Sequence, residues 1–260
     1  MHGQFPSRVL YGIILEVAKS FLNGGLMKKD ECTQVCAIIV AAGTGSRMNM
    51  DANKQYVDIC GKPVLARTIQ AFEDCSRISE IVVVVNEKDI IYCKQNIVER
   101  YGFDKVKVLV SGGETRQESV SRGLRQTGED CGIILIHDGA RPFIDDASIV
   151  SSIAAAEQYG AACVAVPVKD TIKSADSEDF VNSTLERSSL WSIQTPQAFQ
   201  TDLIKNAHRI GAEEGFSGTD DAVLVERLGH RLKLVMGSYF NIKITTQEDL
   251  LIAEAIAEQV

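Results

Sequence analysis

Residues Ala41 to Lys54, AAGTGSRMNMDANK, join a bare loop to two cations. Ala41, Ala42, Gly43, Thr44 and Gly45 carry little beyond their backbone, and exposed N–H groups in such a loop form a nest for anionic oxygens. Arg47 and Lys54 bring two positive charges to the same rim. A planar guanidinium and a compact ammonium beside an N–H nest suit a polyphosphate. The dinucleotide fingerprint does not fit: Met48 takes the third glycine position, and the nearest acids, Glu73 and Asp74, come too late to hold a ribose. The P-loop pattern fails too, because Gly61-Lys62 is followed by Pro63.

A second candidate is Ile133–Pro142, IILIHDGARP, an apolar run that ends in His137-Asp138. An acid at the tip of a buried strand stands where α/β sheets hold their ligands. Mg2+ takes one or two carboxylates and completes its shell with phosphate oxygens and water. Asp138 is therefore read as a metal ligand, with a turn cap as its plainer role, and Gly139 and Ala140 as neighbours of a nucleotide. His137 is read as packed and hydrogen-bonded. Third, SGGETRQES (Ser111–Ser119) sets Gly112-Gly113 before a helix starting near Glu114, with the Ser119 hydroxyl as a candidate reader of a base edge. Scattered further on are Arg187, Thr195, Thr219 and Lys243. A lysine in an apolar strand needs an anionic partner, either a phosphate or an acid such as Asp220. No G-x-S-x-G elbow and no defensible pair of acid/base carboxylates is present.

The elements that must position these groups follow from periodicity. Val35–Ala41, Ile81–Asn86, Lys105–Val110, Gly132–His137 and Ala161–Pro167 are near-continuous apolar runs, which predicts strands buried on both faces. Helical patterns over Pro63–Cys75, Glu87–Tyr101, Glu114–Gln126 and Asp145–Tyr159 alternate with them. The fold class is thus α/β, a mostly parallel sheet between helix layers. Polar residues Lys169–Arg187 read as a projecting β-hairpin arm, expected to swap onto a neighbouring subunit. After it come a strand at Ser192–Ala198, helices Thr201–Ile210 and Gly218–Leu228, strands Arg231–Val235 and Asn241–Thr245, and a last helix opened by a capping box from Thr245 to Glu248.

The chain has 260 residues, a net charge of −8, 45% hydrophobic and 24% charged residues. That fits one large α/β domain or two small ones, of which the unbroken strand–helix alternation favours one, and excludes a basic, non-specific nucleic-acid binder. Its seven cysteines are odd in number and lack any C-x-x-C, the profile of reduced thiols in a cytoplasmic protein. Cys36, Cys60, Cys75, Cys131 and Cys163 fall in apparent core segments, Cys32 and Cys93 in polar ones. Residues 1–26 read as an N-terminal extension ahead of a domain at 27–260. Within it, Val9–Leu22 is apolar but interrupted by Glu16 and Lys19, too short and too charged to span a membrane. A dispensable segment is the first reading, and an amphipathic helix packing on a partner the second.

Taken in order, AAGTGSRM, NKQY, SGGETRQESV, HDGARP, VKDTIK, LERSSLW, QTPQAF, GTDDA and NIKITT resemble the 2-C-methyl-D-erythritol 4-phosphate cytidylyltransferase family from Val35 to about Ile256. The resemblance implies a nucleotidyltransferase sheet, a homodimer with exchanged arms, and transfer of CMP from CTP to the methylerythritol phosphate with Mg2+ or another divalent cation. It assigns Arg47 and Lys54 to the transition state at the α-phosphate and Asp138 to the metal. Ala41, Ala42, Gly43, Thr44, Gly45, Gly113, Ser119, Asp138, Gly139 and Ala140 would hold CTP. Arg141, Thr171, Arg187, Thr195, Thr219 and Lys243 would surround the acceptor, with Thr171 and Arg187 reaching over from the partner chain. Asn53 departs from the proline usual before Lys-Gln, Gly139 from a frequent alanine and Glu114 from a frequent aspartate. A cytidylyltransferase for another polyol phosphate, such as ribitol 5-phosphate, is the closest alternative. A CTP-binding module without turnover is the alternative from another class.

Overall fold

A computed structural model describes residues 33–43 and 54–259. One compact unit spans Gln34–Val260, and the expected boundary at residue 26 lies outside the described residues. Strand β1 (Gln34–Ala41) runs through its middle, and its side chains feed two cores. Val35, Ala37 and Ile39 pack on one face with Leu65, Ile69 and Phe72, while Cys36 and Ile38 pack on the other with Val120, Leu124 and Ile204. Alternation that is apolar on both sides is what a strand between two helix layers requires.

A small hairpin, β2 (Asp58–Ile59) and β3 (Lys62–Pro63), leads into helix α1 (Val64–Asp74), whose N-cap is Pro63 with its fixed φ. Then follow β4 (Glu80–Val85), α2 (Ile90–Cys93), β5 (Val106–Ser111), α3 (Arg116–Leu124), β6 (Cys131–Asp138), α4 (Asp146–Tyr159) and β7 (Ala161–Pro167). The arm is β8 (Lys173–Ala175) paired antiparallel with β9 (Val181–Thr184). β10 (Trp191–Gln200), α5 (Thr201–Glu213), α6 (Asp221–Arg227), β11 (Lys233–Met236) and α7 (Gln247–Ala257) complete the chain.

The main sheet has seven strands in the order β11-β7-β10-β6-β1-β4-β5. β10 runs antiparallel to β6 and β7, and every other pairing is parallel. From β1 the chain steps outward to β4 and β5, then returns to place β6 on the opposite side of β1. The order therefore reverses between β1 and β6, and ligands of open α/β sheets bind beyond the strand ends at such a point. The tips of β1 and β6 carry the first two sequence motifs, Ala41–Gly43 and Asp138–Ala140.

Several expectations shift. Glu87–Tyr101 is not one α-helix: a 3-10 turn at Glu87–Asp89 leads into α2 and then into a π-helical stretch at Lys94–Glu99. α3 begins at Arg116 rather than Glu114 because Thr115 caps it, accepting from the Glu118 N–H at 3.1 Å. No strand forms at Asn241–Thr245. Buried Asn241 instead donates to Gln194 Oε1 and to the Thr195 carbonyl, and Ile244 N–H donates to the Ala140 carbonyl, tying an irregular loop across the sheet end. The last helix is capped by Thr246 with Asp249, whose carboxylate accepts the N–H groups of Thr245 and Thr246. Cys93 is buried and Cys60 is exposed, the latter because it sits in the turn between β2 and β3. The six described cysteines are free thiols. Among the described residues no helix is long and apolar enough to cross a membrane.

Candidate active site

At the switch point lies a cleft of about 220 Å3 lined by Ala41, Ala42, Gly43, Gln55, Gly113 and Ser119, with Asp138, Ala140, Arg116 and Lys243 at its inner end. Its walls are rich in alanine and glycine. Gly139 N–H donates to the Val40 carbonyl at 2.8 Å, drawing the tips of β6 and β1 together, and a Cβ on Gly139 would stand 2.8 Å from that of Ala41. Gly139 therefore shapes this lobe through its lack of a side chain. Ser119 is buried; its hydroxyl accepts from Gly113 N–H at 3.0 Å and donates to the Thr115 carbonyl at 2.9 Å. Its proton is thus committed to bracing the glycine loop. Gln55 donates to the Ala41 carbonyl at 2.9 Å, anchoring the 3-10 turn Lys54–Tyr56 to the end of β1. Lys54 opens that turn, while Thr44, Gly45, Arg47 and Asn53 lie outside the described residues.

A second lobe of about 180 Å3 is lined by Arg141, Thr195, Thr219, Asp220, Gln194 and Gln197, and it shares Arg116, Asp138 and Lys243 with the first. The expected acceptor residues Arg141, Thr195, Thr219 and Lys243 converge here. Thr171 and Arg187 do not. Both are exposed at the base of the arm, where the Arg187 guanidinium donates to the Lys169 carbonyl at 2.9 Å.

Asp138 is where the lobes meet. Its side chain is 9% exposed, with Oδ1 3.2 Å from Arg116 Nε and Oδ2 2.8 Å from Lys243 Nζ. Arg141 Nε stands 3.7 Å away, within ion-pair range but without a hydrogen bond, while its Nη1 donates to the Asn241 carbonyl at 2.7 Å. Burial alone would raise the Asp138 pKa, but Arg116, Lys243 and Arg141 outweigh it and hold the carboxyl well below the usual carboxylate range. Lys243 thus finds its acid in Asp138 rather than Asp220. Asp220 instead caps α6 and accepts from Gln197 Nε2 at 2.7 Å.

Behind this carboxylate His137 is fully buried, and that burial pushes its pKa down to about 4. Its Nε2 faces the Arg141 carbonyl at 3.1 Å, an acceptor only, so Nε2 carries the proton and Nδ1 accepts from the Thr195 hydroxyl at 3.0 Å. Thr195 Oγ1 in turn accepts from Asp138 N–H at 3.0 Å. His137 is a brace, as its sequence setting indicated.

Arg116 is the residue that sequence reasoning passed over as a site member. Besides Asp138 it holds Asp221 Oδ2 at 2.6 Å, and Asp221 also meets His208 Nε2 at 3.0 Å. Burial opposes the charge of Arg116, but Asp221 and Asp138 keep it firmly protonated. The available signal was its place, a cation in the first turn after the Gly112-Gly113 break.

The sequence profile of the IspD family, 2-C-methyl-D-erythritol 4-phosphate cytidylyltransferase, matches residues 35–259. This chain belongs to that family. The cytidylyltransferase of that name from Caldanaerobacter subterraneus subsp. tengcongensis is 52% identical over 220 residues, covering 85% of this chain and 97% of that protein. The crystal structure of 4-diphosphocytidyl-2C-methyl-D-erythritol synthase from Anaerococcus prevotii superposes with a TM-score of 0.78 at 34% identity, covering 88% of this chain and 97% of that one. The Thermus thermophilus 2-C-methyl-D-erythritol 4-phosphate cytidylyltransferase gives a TM-score of 0.70 at 32% identity, covering 86% and 99%.

The donor set limits how this cytidylyltransferase site can take a metal. Among the described residues no three His, Cys, Asp or Glu side chains cluster into a cage. Asp138 is the one carboxylate common to both lobes. Such a set fits a hydrated Mg2+ that draws its remaining oxygens from phosphates, and does not fit a metal held by protein alone.

Proposed function

We propose that the chain transfers CMP from CTP to 2-C-methyl-D-erythritol 4-phosphate, releasing pyrophosphate, as a step of non-mevalonate isoprenoid precursor synthesis. The observation that carries this reading is the pair of lobes meeting at Arg116, Asp138 and Lys243. Two anions must approach each other for the reaction, and the cations stand where they would meet. An oxygen of the acceptor phosphate forms the new bond to the α-phosphorus of CTP as the bond to the β-phosphate oxygen breaks. The attacking oxygen is already an anion, so no base is needed. The site agrees: His137 is neutral with both nitrogens committed, and Asp138 is ion-paired. Catalysis then rests on positioning and charge neutralisation.

The nest at Ala41–Gly45 with Gly113 would hold the triphosphate and base. Arg47 and Lys54 would face the α-phosphate, and Arg141, Thr195, Thr219 and Lys243 the acceptor. Asp138 would hold a divalent cation, which when bound neutralises phosphate charge. Thr171 and Arg187, which lie outside both lobes, would enter a partner's acceptor lobe through arm exchange in a homodimer. The arm exposes Phe180 and Val181, apolar side chains that such a partner would cover.

Pyrophosphate release from CTP and Mg2+ with 2-C-methyl-D-erythritol 4-phosphate and ribitol 5-phosphate as competing acceptors tests the assignment. Release with the first acceptor alone is expected. Release only with the second would overturn the acceptor, and CTP binding without release would overturn the enzyme.

A further inference from the structure

The loop from Gly237 to Thr245 carries Lys243 but contains neither strand nor helix, so side chains must do much of the work of holding it. Asn241, at its centre, is fully buried. Its Nδ2 donates to the Thr195 carbonyl at 2.9 Å and to Gln194 Oε1 at 3.1 Å. A carbonyl only accepts, so the Asn241 amide can sit only this way round. Gln194 is oriented in the same manner, by Nε2 donating to the Ser238 carbonyl at 2.9 Å. Gly237 makes the room, since a Cβ there would stand 2.6 Å from Gln194 Oε1. The two amides form a bracket that fastens the loop to β10.

Two cations of the second lobe hang from this bracket. The Asn241 carbonyl accepts from Arg141 Nη1 at 2.7 Å, which turns Nε toward Asp138 and leaves Nη2 without a hydrogen-bond partner among the described residues. Two residues beyond Asn241, Lys243 Nζ meets Asp138 Oδ2 at 2.8 Å. The bracket is built of neutral groups. A carboxylate clamp in its place would compete with a phosphate for both cations, whereas an amide pair fixes the backbone and adds no rival to Asp138. Asn241 itself lines neither lobe.

We propose that Asn241 is a positioning residue for the acceptor: by clamping its loop to Gln194 and the Thr195 carbonyl, it sets the spacing of Arg141 and Lys243 and so the affinity for a phosphate it does not touch. This placement rests on the acceptor reading of the second lobe. Without the bracket the loop drifts from β10, and the two cations no longer meet one phosphate group together. The glycine and alanine walls of the first lobe do not depend on the bracket, so CTP affinity is spared.

The test titrates the full chain calorimetrically with CTP, and with 2-C-methyl-D-erythritol 4-phosphate in the presence and absence of CTP, all in EDTA so that binding is read apart from turnover. Asn241→Ala is expected to weaken acceptor binding about tenfold, the scale of one neutral hydrogen bond, and to leave CTP binding near the wild-type value. In a Lys243→Ala background the same change should cost less, because effects that share a partner are not additive. Gly237→Ala reaches the bracket from outside both lobes, removes no hydrogen-bonding group and displaces Gln194 from Asn241. It is expected to act in the same direction, and it carries the test should Asn241→Ala fail to fold. Acceptor affinity unchanged in the folded variants, equal weakening of both ligands, or an undiminished effect in the Lys243→Ala background would overturn the role of Asn241. Pyrophosphate release by the wild type is measured in the same series: acceptor binding without release fails the proposed reaction, while the bracket is judged on binding alone.

Discussion

The two lobes of the cleft share one carboxylate but are built from different materials. The first is made of strand tips and glycine loops, with Gly112, Gly113 and Gly139 placed where a Cβ would collide with Ala42, Glu118 and Ala41 respectively. It is held largely through backbone groups, by Gly139 N–H on the Val40 carbonyl, Gly112 N–H on the Val85 carbonyl and the hydrogen bonds of Ser119. The second is made of side chains from five distant segments: Arg116, Asp138 with Arg141, Thr195, Thr219 and Lys243. Those are held by buried contacts that cross the chain, including Thr195 to His137 and Asn241 to Gln194. A backbone nest suits a triphosphate, which presents the same oxygens in every nucleotide. A side-chain lobe suits the acceptor, where shape and charge must be particular to one molecule. The junction belongs to both, and changes there have the largest effects.

Asp138→Asn is expected to be the most damaging substitution. It leaves Lys243 and Arg141 without their counter-charge and Arg116 with Asp221 alone, and unpairing a buried ion pair costs about 3–5 kcal/mol. The low end applies because Arg116 and Lys243 are 28% and 36% exposed on their side chains and keep water contact. Denaturant melts read that loss. CTP binding in EDTA should be at least as tight in the variant as in the wild type, since phosphates no longer compete with the carboxylate for three cations. Weaker binding there would mean that Asp138 contributes to the nucleotide lobe as more than a counter-charge.

Next come the two cations of the first motif. Arg47→Ala and Lys54→Ala should each lower kcat on the order of 100-fold or more, as when an electrostatic donor to a transition state is removed. Their effect on stability should be small, because they answer to a substrate charge. Near-normal turnover in both would move the chemistry away from the first lobe.

His137 separates bracing from catalysis through pH. Its folded pKa of about 4 lies below the ordinary 6.5. The unfolded chain therefore binds this proton more readily, and the contribution of the neutral ring is complete above pH 6.5 and lost as pH falls toward 4. The gap corresponds to about 3 kcal/mol. His137→Asn should flatten that part of the stability profile while remaining less stable at pH 7. An unchanged slope would place the acid sensitivity elsewhere.

Legibility in the sequence divides along the same line as the lobes. Runs such as Val35–Ala41 and Cys131–Asp138 declare strands buried on both faces, and small residues at their tips declare a nest, because both signals are local. The partner of Lys243 was not legible: Asp138 and Asp220 are equally plausible on paper, and only the loop pinned by Ile244 to the Ala140 carbonyl decides between them. That loop looks like a strand because Ile242 and Ile244 alternate with polar residues. Ile244 is buried in a small satellite core with Ile59 and Val64 rather than in a sheet. Arg116 escaped notice for a related reason. Its two acids, Asp138 and Asp221, lie 22 and 105 positions away along the chain.

The smallest expected effects test whether the second lobe is finished by another subunit. Lys243→Ala and Arg187→Ala should each raise the acceptor KM about tenfold, near 1.4 kcal/mol, with kcat less affected. Taken singly these changes do not locate Arg187, but mixing the two variants does. With exchanged arms, a mixed dimer holds one site with Lys243 from one chain and Arg187 from the other, both intact, and one site lacking both. Without exchange, each site lacks exactly one cation and mixing changes nothing. Dissociating and reassembling equal amounts should therefore restore wild-type KM in about a quarter of the sites, since half the dimers are mixed and each has one intact site. A mixture that behaves as the average of its parents would keep Arg187 on its own chain and leave the acceptor lobe complete within one subunit.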